Sequence, residues 1–122
     1  MAINSRNKGA SGEREAASKF RDHGYDTHRT AQHCGMTGVA DIEGVPYIHL
    51  EVKRRENLNL YDAMSQAVRD HREGELPTVM WRRNNCEWLM VMRFDDWIEM
   101  YKAYEMSMAE TERLKGIPFA EE

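Results

Sequence analysis

Three polar residues in the middle of the chain, Asp41, Glu51 and Lys53, have the types and spacing to act on a phosphate. They lie in VADIEGVPYIHLEVKRR, residues 39–55, which reads as two β-strands around a turn at Gly44 and Pro46. Residues 39–42 and 47–53 carry strand formers and are bounded by breakers. In the second strand Ile48, Leu50 and Val52 fall on one face and His49, Glu51 and Lys53 on the other, because strand side chains repeat every second residue. Glu51 and Lys53 are then neighbours roughly 6.6 Å apart, and Asp41 arrives from the adjoining strand. Two carboxylates offer only oxygen ligands, which suit Mg²⁺ or Mn²⁺ better than zinc. A lysine beside them can hold a water or a phosphate. The same alternation of acid and base also occurs on solvated antiparallel sheets, where it only keeps the surface polar. The elements around these residues have to decide.

At 122 residues the chain is long enough for one domain with a real core and has no room for a second. Its apolar fraction, 41 %, is that of an ordinary globular protein. With neither a membrane-spanning run nor a secretory leader, it is expected inside a cell, in the cytoplasm and without a membrane partner. Cys34 and Cys86 are far apart and show no metal-ligand spacing, so neither a disulfide framework nor structural zinc is indicated. The net charge of −4 is unevenly spread. Residues 1–83 hold 13 Lys and Arg against 12 Asp and Glu, a net +1, whereas 84–122 hold 4 against 9, a net −5. The overall acidity therefore does not exclude a phosphate-bearing partner for the first part, particularly if some of its acids hold a cation.

In chain order, residues 1–9 are polar, basic and without period, and read as a loose arm carrying Arg6 and Lys8. A helix is expected over 11–23, with Ser11 as N-cap and Gly24 as stop. Glu13 falls on its apolar stripe with Ala16, Ala17 and Phe20, which is unusual for an acid. A place in the first helical turn, where unsatisfied N–H groups favour a carboxylate, would account for it without any function. A strand over 25–30 and a loop over 31–38 follow. His33 in that loop can touch a phosphate, although an exposed loop histidine is more often idle. After the central strands, Arg54 and Arg55 extend the face begun by Lys53. Asn59 opens a helix to about residue 71 whose stripe is Leu60, Met64, Ala67, Val68 and His71, with Gln66 at its edge. Gly74 and Pro77 end that helix. Residues 78–83 and 87–92 form a hairpin about Asn84 and Asn85, and Asp95 or Asp96 caps a third helix bearing Trp97, Ile98, Tyr101 and Tyr104. From 105 onwards the pattern weakens to a tail.

The order is α-β-β-β-α-β-β-α, and with its motifs in place the chain resembles the PD-(D/E)xK nuclease superfamily. Residues 7–55 are similar to the Holliday-junction resolvases of archaeal type, through KGASGERE, GYDTHRT, ADIE and HLEVKRR. The small standalone VRR-Nuc nucleases share the core and are the second choice. The resemblance covers about the first two-thirds of the chain. It implies an α/β fold with a restriction-endonuclease-like core, a mixed central sheet flanked by helices, and metal-dependent hydrolysis of DNA phosphodiesters by a homodimer. It also implies roles. Asp41 and Glu51 would bind Mg²⁺ or Mn²⁺ with the Val52 carbonyl as third protein ligand, and Glu13 would reach the same ion through water or hold a second. Lys53 would orient the attacking water, and Gln66 would bond that water or Lys53. Arg6, Lys8, Arg29, His33, Arg54 and Arg55 are the expected DNA contacts. Ala40 stands where the superfamily has proline. A symmetric tight hairpin about Gly44 would set Asp41 opposite Ile48, short of Glu51, so the first strand has to bend or bulge for the two acids to share an ion. A homodimer also fits the surplus of rings in Trp81, Trp88, Trp97, Tyr101 and Tyr104, which could equally be core. Nicking or cutting of plain duplex, and a catalytically silent DNA-binding or dimerisation module, remain alternatives to junction resolution.

Overall fold

The computed structural model describes residues 5–30 and 40–116, without the side chains of residues 5–8. Its elements are α1 (Ser5–Arg21), β1 (His28–Arg29), β2 (Ile42–Glu43), β3 (Ile48–Arg54), α2 (Leu60–Asp70), β4 (Leu76–Arg82), β5 (Leu89–Met92) and α3 (Phe94–Gly116). The predicted order is the observed one. The strands form one mixed sheet in the order β1-β2-β3-β4-β5, in which only β3 and β4 run parallel. That parallel pair has α2 as its crossover, the connection parallel strands require.

β3 is the middle strand, and both of its faces are covered. On one face Leu50 and Val52 pack with Ile42, Met80 and the α1 residues Ala16 and Ala17. On the other, Val79 of β4 packs with Ala63 and Ala67 of α2. Small residues dominate the helix side of both contacts, which lets α1 and α2 lie close to the sheet. A Cβ on Gly12 of α1 would stand 3.0 Å from the Cβ of Arg54. Trp88 packs against the first cluster and Trp81 against the second, so these two rings serve the core.

Several expected boundaries move. α1 begins at Ser5, so residues 5–9 belong to a helix and not to an irregular arm. β4 begins at Leu76 and takes Pro77 inside it. Leu76 N–H bonds the carbonyl of Tyr47, just before β3, so the N–H that Pro77 lacks would face the β5 side, where pairing starts only at Thr78. The turn between β2 and β3 is not a symmetric tight one about Gly44: Ile48 N–H bonds the Val45 carbonyl, and Tyr47 has a φ of 69°. Gly44 is required there for another reason. At φ 105°, a Cβ would stand 2.1 Å from the Asp26 carbonyl oxygen, so the β1 side approaches this turn more closely than any side chain permits.

The chain divides into two units, residues 1–92 and 93–122. The second consists, as described, of α3, which continues to Gly116 through the stretch expected to be a tail. None of its residues is buried. Trp97 stacks on Tyr101 with ring centroids 5.2 Å apart, and Tyr104 follows at 6.3 Å. Among the described residues, no helix is long and apolar enough to cross a membrane.

Candidate active site

The backbone of β2 brings Asp41 to Glu51. Ile42 is the register partner of Leu50, yet Asp41 N–H also bonds the Leu50 carbonyl at 3.0 Å. Two residues of one strand thus oppose one of the other, a β-bulge, which re-aims a side chain at a sheet edge. The bend needed for Asp41 and Glu51 to share an ion is present, although the sequence did not mark it. Its result is that Asp41 Oδ2 accepts a 2.7 Å hydrogen bond from Val52 N–H. In an extended strand a residue's N–H and C=O share an edge, so the Val52 carbonyl opens on the side where the Asp41 carboxylate sits.

Glu51 lies one residue back, on the α2 face, and is 1 % exposed. The solvated-sheet explanation for it fails because α2 covers that face. Its Oε1 contacts His49 Nε2 at 2.9 Å, whereas its Oε2 is buried with no hydrogen-bond partner among the described residues. Lys53, two residues on, donates from Nζ to Gln66 Oε1 of α2 at 2.9 Å. Gln66 therefore belongs to this cluster and fixes the ammonium.

Glu13 approaches from the α1 face. It is the ninth residue of α1, so a first-turn position no longer accounts for it. It is buried, and its carboxylate accepts from Arg29 Nε at 2.6 Å. Burial pushes its pKa up, the Arg29 hydrogen bond opposes this, and the charge of Asp41 pushes it further up. Both Asp41 and Lys53 act on it through space, so acids from α1 and β2 and the β3 lysine share one electrostatic environment.

The basic residues divide. Arg29 is engaged by Glu13 and remains partly exposed. Arg54 lies on the face opposite Lys53, as strict alternation demands, and does not extend the lysine's face. There it packs on α1, with Nη1 3.5 Å from Ser11 Oγ and 3.9 Å from Glu15. Arg55 is exposed. Arg6 and Lys8 lie on α1, with side chains outside the described set, and His33 lies outside the described residues altogether. His49 and the Glu15–Arg82 pair were not singled out in the sequence. Alternation alone put His49 beside Glu51, but nothing local showed that both are buried.

The oxygen donors fit a hard divalent cation. A buried carboxylate oxygen without a partner is the kind of atom that a bound ion satisfies. Among the described residues, no three acid, His or Cys side chains already form a ligand cluster. An ion here would draw on two carboxylates, a backbone carbonyl and water, which is how Mg²⁺ is usually held.

A bulged β2 acid, a β3 acid and lysine two residues apart, and a helix acid on a mixed sheet together define a PD-(D/E)xK endonuclease. The chain belongs to the family described as "Phage putative PDDEXK endonuclease", whose model matches residues 4–115. The chain is also similar to the solved structure of Archaeoglobus fulgidus Hjc, a Holliday junction resolvase from an archaeal hyperthermophile. The two share 25 % sequence identity with a TM-score of 0.56, over 69 % of this chain and 76 % of that one. No curated protein matches.

Proposed function

We propose that the protein is a Mg²⁺- or Mn²⁺-dependent endodeoxyribonuclease that acts on branched DNA, resolving four-way junctions as a homodimer. The observation that carries the metal-dependent reading is Glu51: a carboxylate inside the sheet, half tethered and half without a partner, beside the Asp41 bulge. Likeness to a junction resolvase supports the choice of substrate. The nuclease centre lies within residues 1–92, and the whole chain works as one nuclease domain.

In this reading Asp41, Glu51 and the Val52 carbonyl would hold the cation, with Glu13 as a further carboxylate near it. When bound, such an ion neutralises charge on the scissile phosphate and lowers the pKa of water. Hydrolysis adds water to phosphorus and breaks one P–O ester bond. The proton lost by the water is balanced by the one the leaving oxygen gains. Lys53, held by Gln66, orients the water or a phosphate oxygen. The nitrogen that donates to Gln66 presents its remaining N–H groups to the water, which suits an orienting role. Arg55, Arg6, Lys8, Arg29 and His33 are the proposed phosphate contacts. Arg54 contributes mainly to packing α1 on the sheet. Two cuts at symmetry-related strands need two such sites, which a two-fold dimer supplies. The exposed rings Trp97, Tyr101 and Tyr104 on α3 offer an apolar surface suited to an interface.

The test offers the protein a four-way junction, a flap, a nicked duplex and a linear duplex, each with Mg²⁺ and with EDTA, alongside sedimentation at micromolar concentration. Paired symmetric cuts in the junction, only with metal and by a dimer, are expected. Nicking of linear duplex by a monomer would overturn the junction reading while leaving the nuclease one.

A further inference from the structure

His49 and Glu51 alternate onto the α2 face of β3, and each is 1 % exposed. A histidine near the start of a covered strand sits where an apolar residue would pack without desolvation cost, so its polar atoms need partners. Both ring nitrogens face acids. Nε2 is 2.9 Å from Glu51 Oε1. With the carboxylate as acceptor, Nε2 is the donor of this hydrogen bond. Nδ1 stands 3.8 Å from Glu75 Oε1, which is itself fixed by Arg72 N–H at 2.9 Å in the turn after α2. At 3.8 Å the Glu75 contact is too long for a hydrogen bond, so the bond that fixes the imidazole is the one to Glu51.

The consequence falls on Glu51. A glutamate has three rotatable bonds, and in a polar cluster its carboxylate can turn either oxygen towards a neighbour. With Oε1 tethered by His49, the oxygen left without a partner among the described residues is Oε2. We propose that His49 is a positioning residue: its Nε2–H holds Glu51 Oε1, and this presents Oε2 to the divalent cation. The proposal rests on the reading of Glu51 as a metal-facing carboxylate. Partners one step removed from a metal ligand typically act in this way, fixing orientation while touching neither ion nor substrate. A merely structural His49 would satisfy the buried carboxylate and leave metal affinity alone.

The experiment titrates Mn²⁺ into the full-length protein without DNA, by calorimetry, for wild type, Glu51→Gln, His49→Met and His49→Gln. Methionine has similar length and no donor, whereas glutamine supplies an N–H at the same reach. Folding is checked by circular dichroism and melting. The proposal expects His49→Met to weaken Mn²⁺ binding by roughly 10- to 100-fold, the usual range for such partners, and His49→Gln to restore most of it. In the Glu51→Gln background, His49→Met should have no further effect. A folded His49→Met that binds Mn²⁺ like wild type, while Glu51→Gln has lost binding, overturns the positioning role and leaves the metal site standing. Undiminished binding by Glu51→Gln overturns both. Should His49→Met fail to fold, nitrogen NMR of the wild-type His49 ring during a Mg²⁺ titration decides. A shift of the Nε2–H signal that saturates with binding supports the tether, and a signal unmoved at saturation refutes it.

Discussion

Glu13 and Glu15 stand two residues apart on α1, each against an arginine, and their surroundings push them in opposite directions. Glu15 takes a bidentate pair of hydrogen bonds from Arg82, at 2.6 and 2.9 Å, and keeps a third of its side chain in solvent. The Arg82 hydrogen bonds hold its pKa below the usual glutamate value. Glu13 has a single bond to Arg29 and is buried near Asp41, and burial pushes its pKa up. The first arrangement suits structure, since the pair is satisfied in the folded chain alone. The second leaves an acid in surroundings that disfavour its charge, the pattern that makes it a candidate for chemistry. α1 thus carries a staple to β4 and a group poised beside the candidate site.

The sharpest break between the two clusters is in cleavage. Asp41→Asn or Glu51→Gln should lower DNA cleavage by on the order of 10³-fold, as loss of a central electrostatic group does, with DNA binding kept. Glu15→Gln should leave cleavage within about threefold, a surface pair being a matter of stability and not of chemistry. Single-turnover rates on one labelled substrate check this, and equal losses at Glu15 and Glu51 would erase the distinction.

A smaller effect lies in the turn that sets β2 against β3. Gly44→Ala should destabilise residues 1–92 by ~2–4 kcal/mol, since it adds a backbone clash to a positive φ. Denaturant unfolding measures it, and a loss below ~1 kcal/mol would mean that the turn relaxes.

The pH dependence of stability should then differ in sign between the two acids. A raised pKa gives Glu13 a stabilising contribution that is fully present below its ordinary value of 4.5 and is lost as pH rises through the higher folded value. A lowered pKa gives Glu15 a contribution present above 4.5 and lost as pH falls through the folded value. Without metal, Glu13→Gln should therefore gain on wild type from pH 4 to 7, and Glu15→Gln should fall behind it. Each change is ~1 kcal/mol or less, given the exposure of Glu15. Parallel melting curves across that range would contradict the contrast.

The smallest effect is in salt dependence. Removing exposed Arg55 should make the slope of log affinity against log salt shallower by about one unit at most, whereas Arg54, committed to α1 and Glu15, should change it less. Equal changes would return Arg54 to the DNA contacts.

How far the sequence carried depended on whether a feature was local. Alternation in IHLEVKR placed Glu51 and Lys53 together because it depends only on neighbouring residues, whereas the bulge before β2 was only a condition for the two acids to share an ion, and no residue of the sequence marked it. The same alternation placed Arg54 on the other face, although reading 53–55 as one basic run hid it. The start of α1 was hidden because Ser5 to Gly12 is polar and glycine-containing, with no apolar period to mark a helix. That hid in turn that the helix end does not account for Glu13, since a later helix start had placed it in the first turn. The burial of His49 and Glu51 was invisible for a different cause: whether a polar strand face meets water or a helix depends on where α2 folds back, a tertiary fact. The length of α3 was missed because its C-terminal half bears exposed side chains such as Met106 and Leu114 without a buried stripe.

A divalent cation bound between Asp41 and Glu51, as proposed, would show itself by anomalous scattering in crystals soaked in Mn²⁺. The account predicts a single strong peak at about 2.1 Å from Glu51 Oε2, a usual oxygen distance for such an ion, with Asp41 and the Val52 carbonyl as its other protein neighbours. A peak at the Glu15 cluster instead, or none in this site at saturating Mn²⁺, would contradict it.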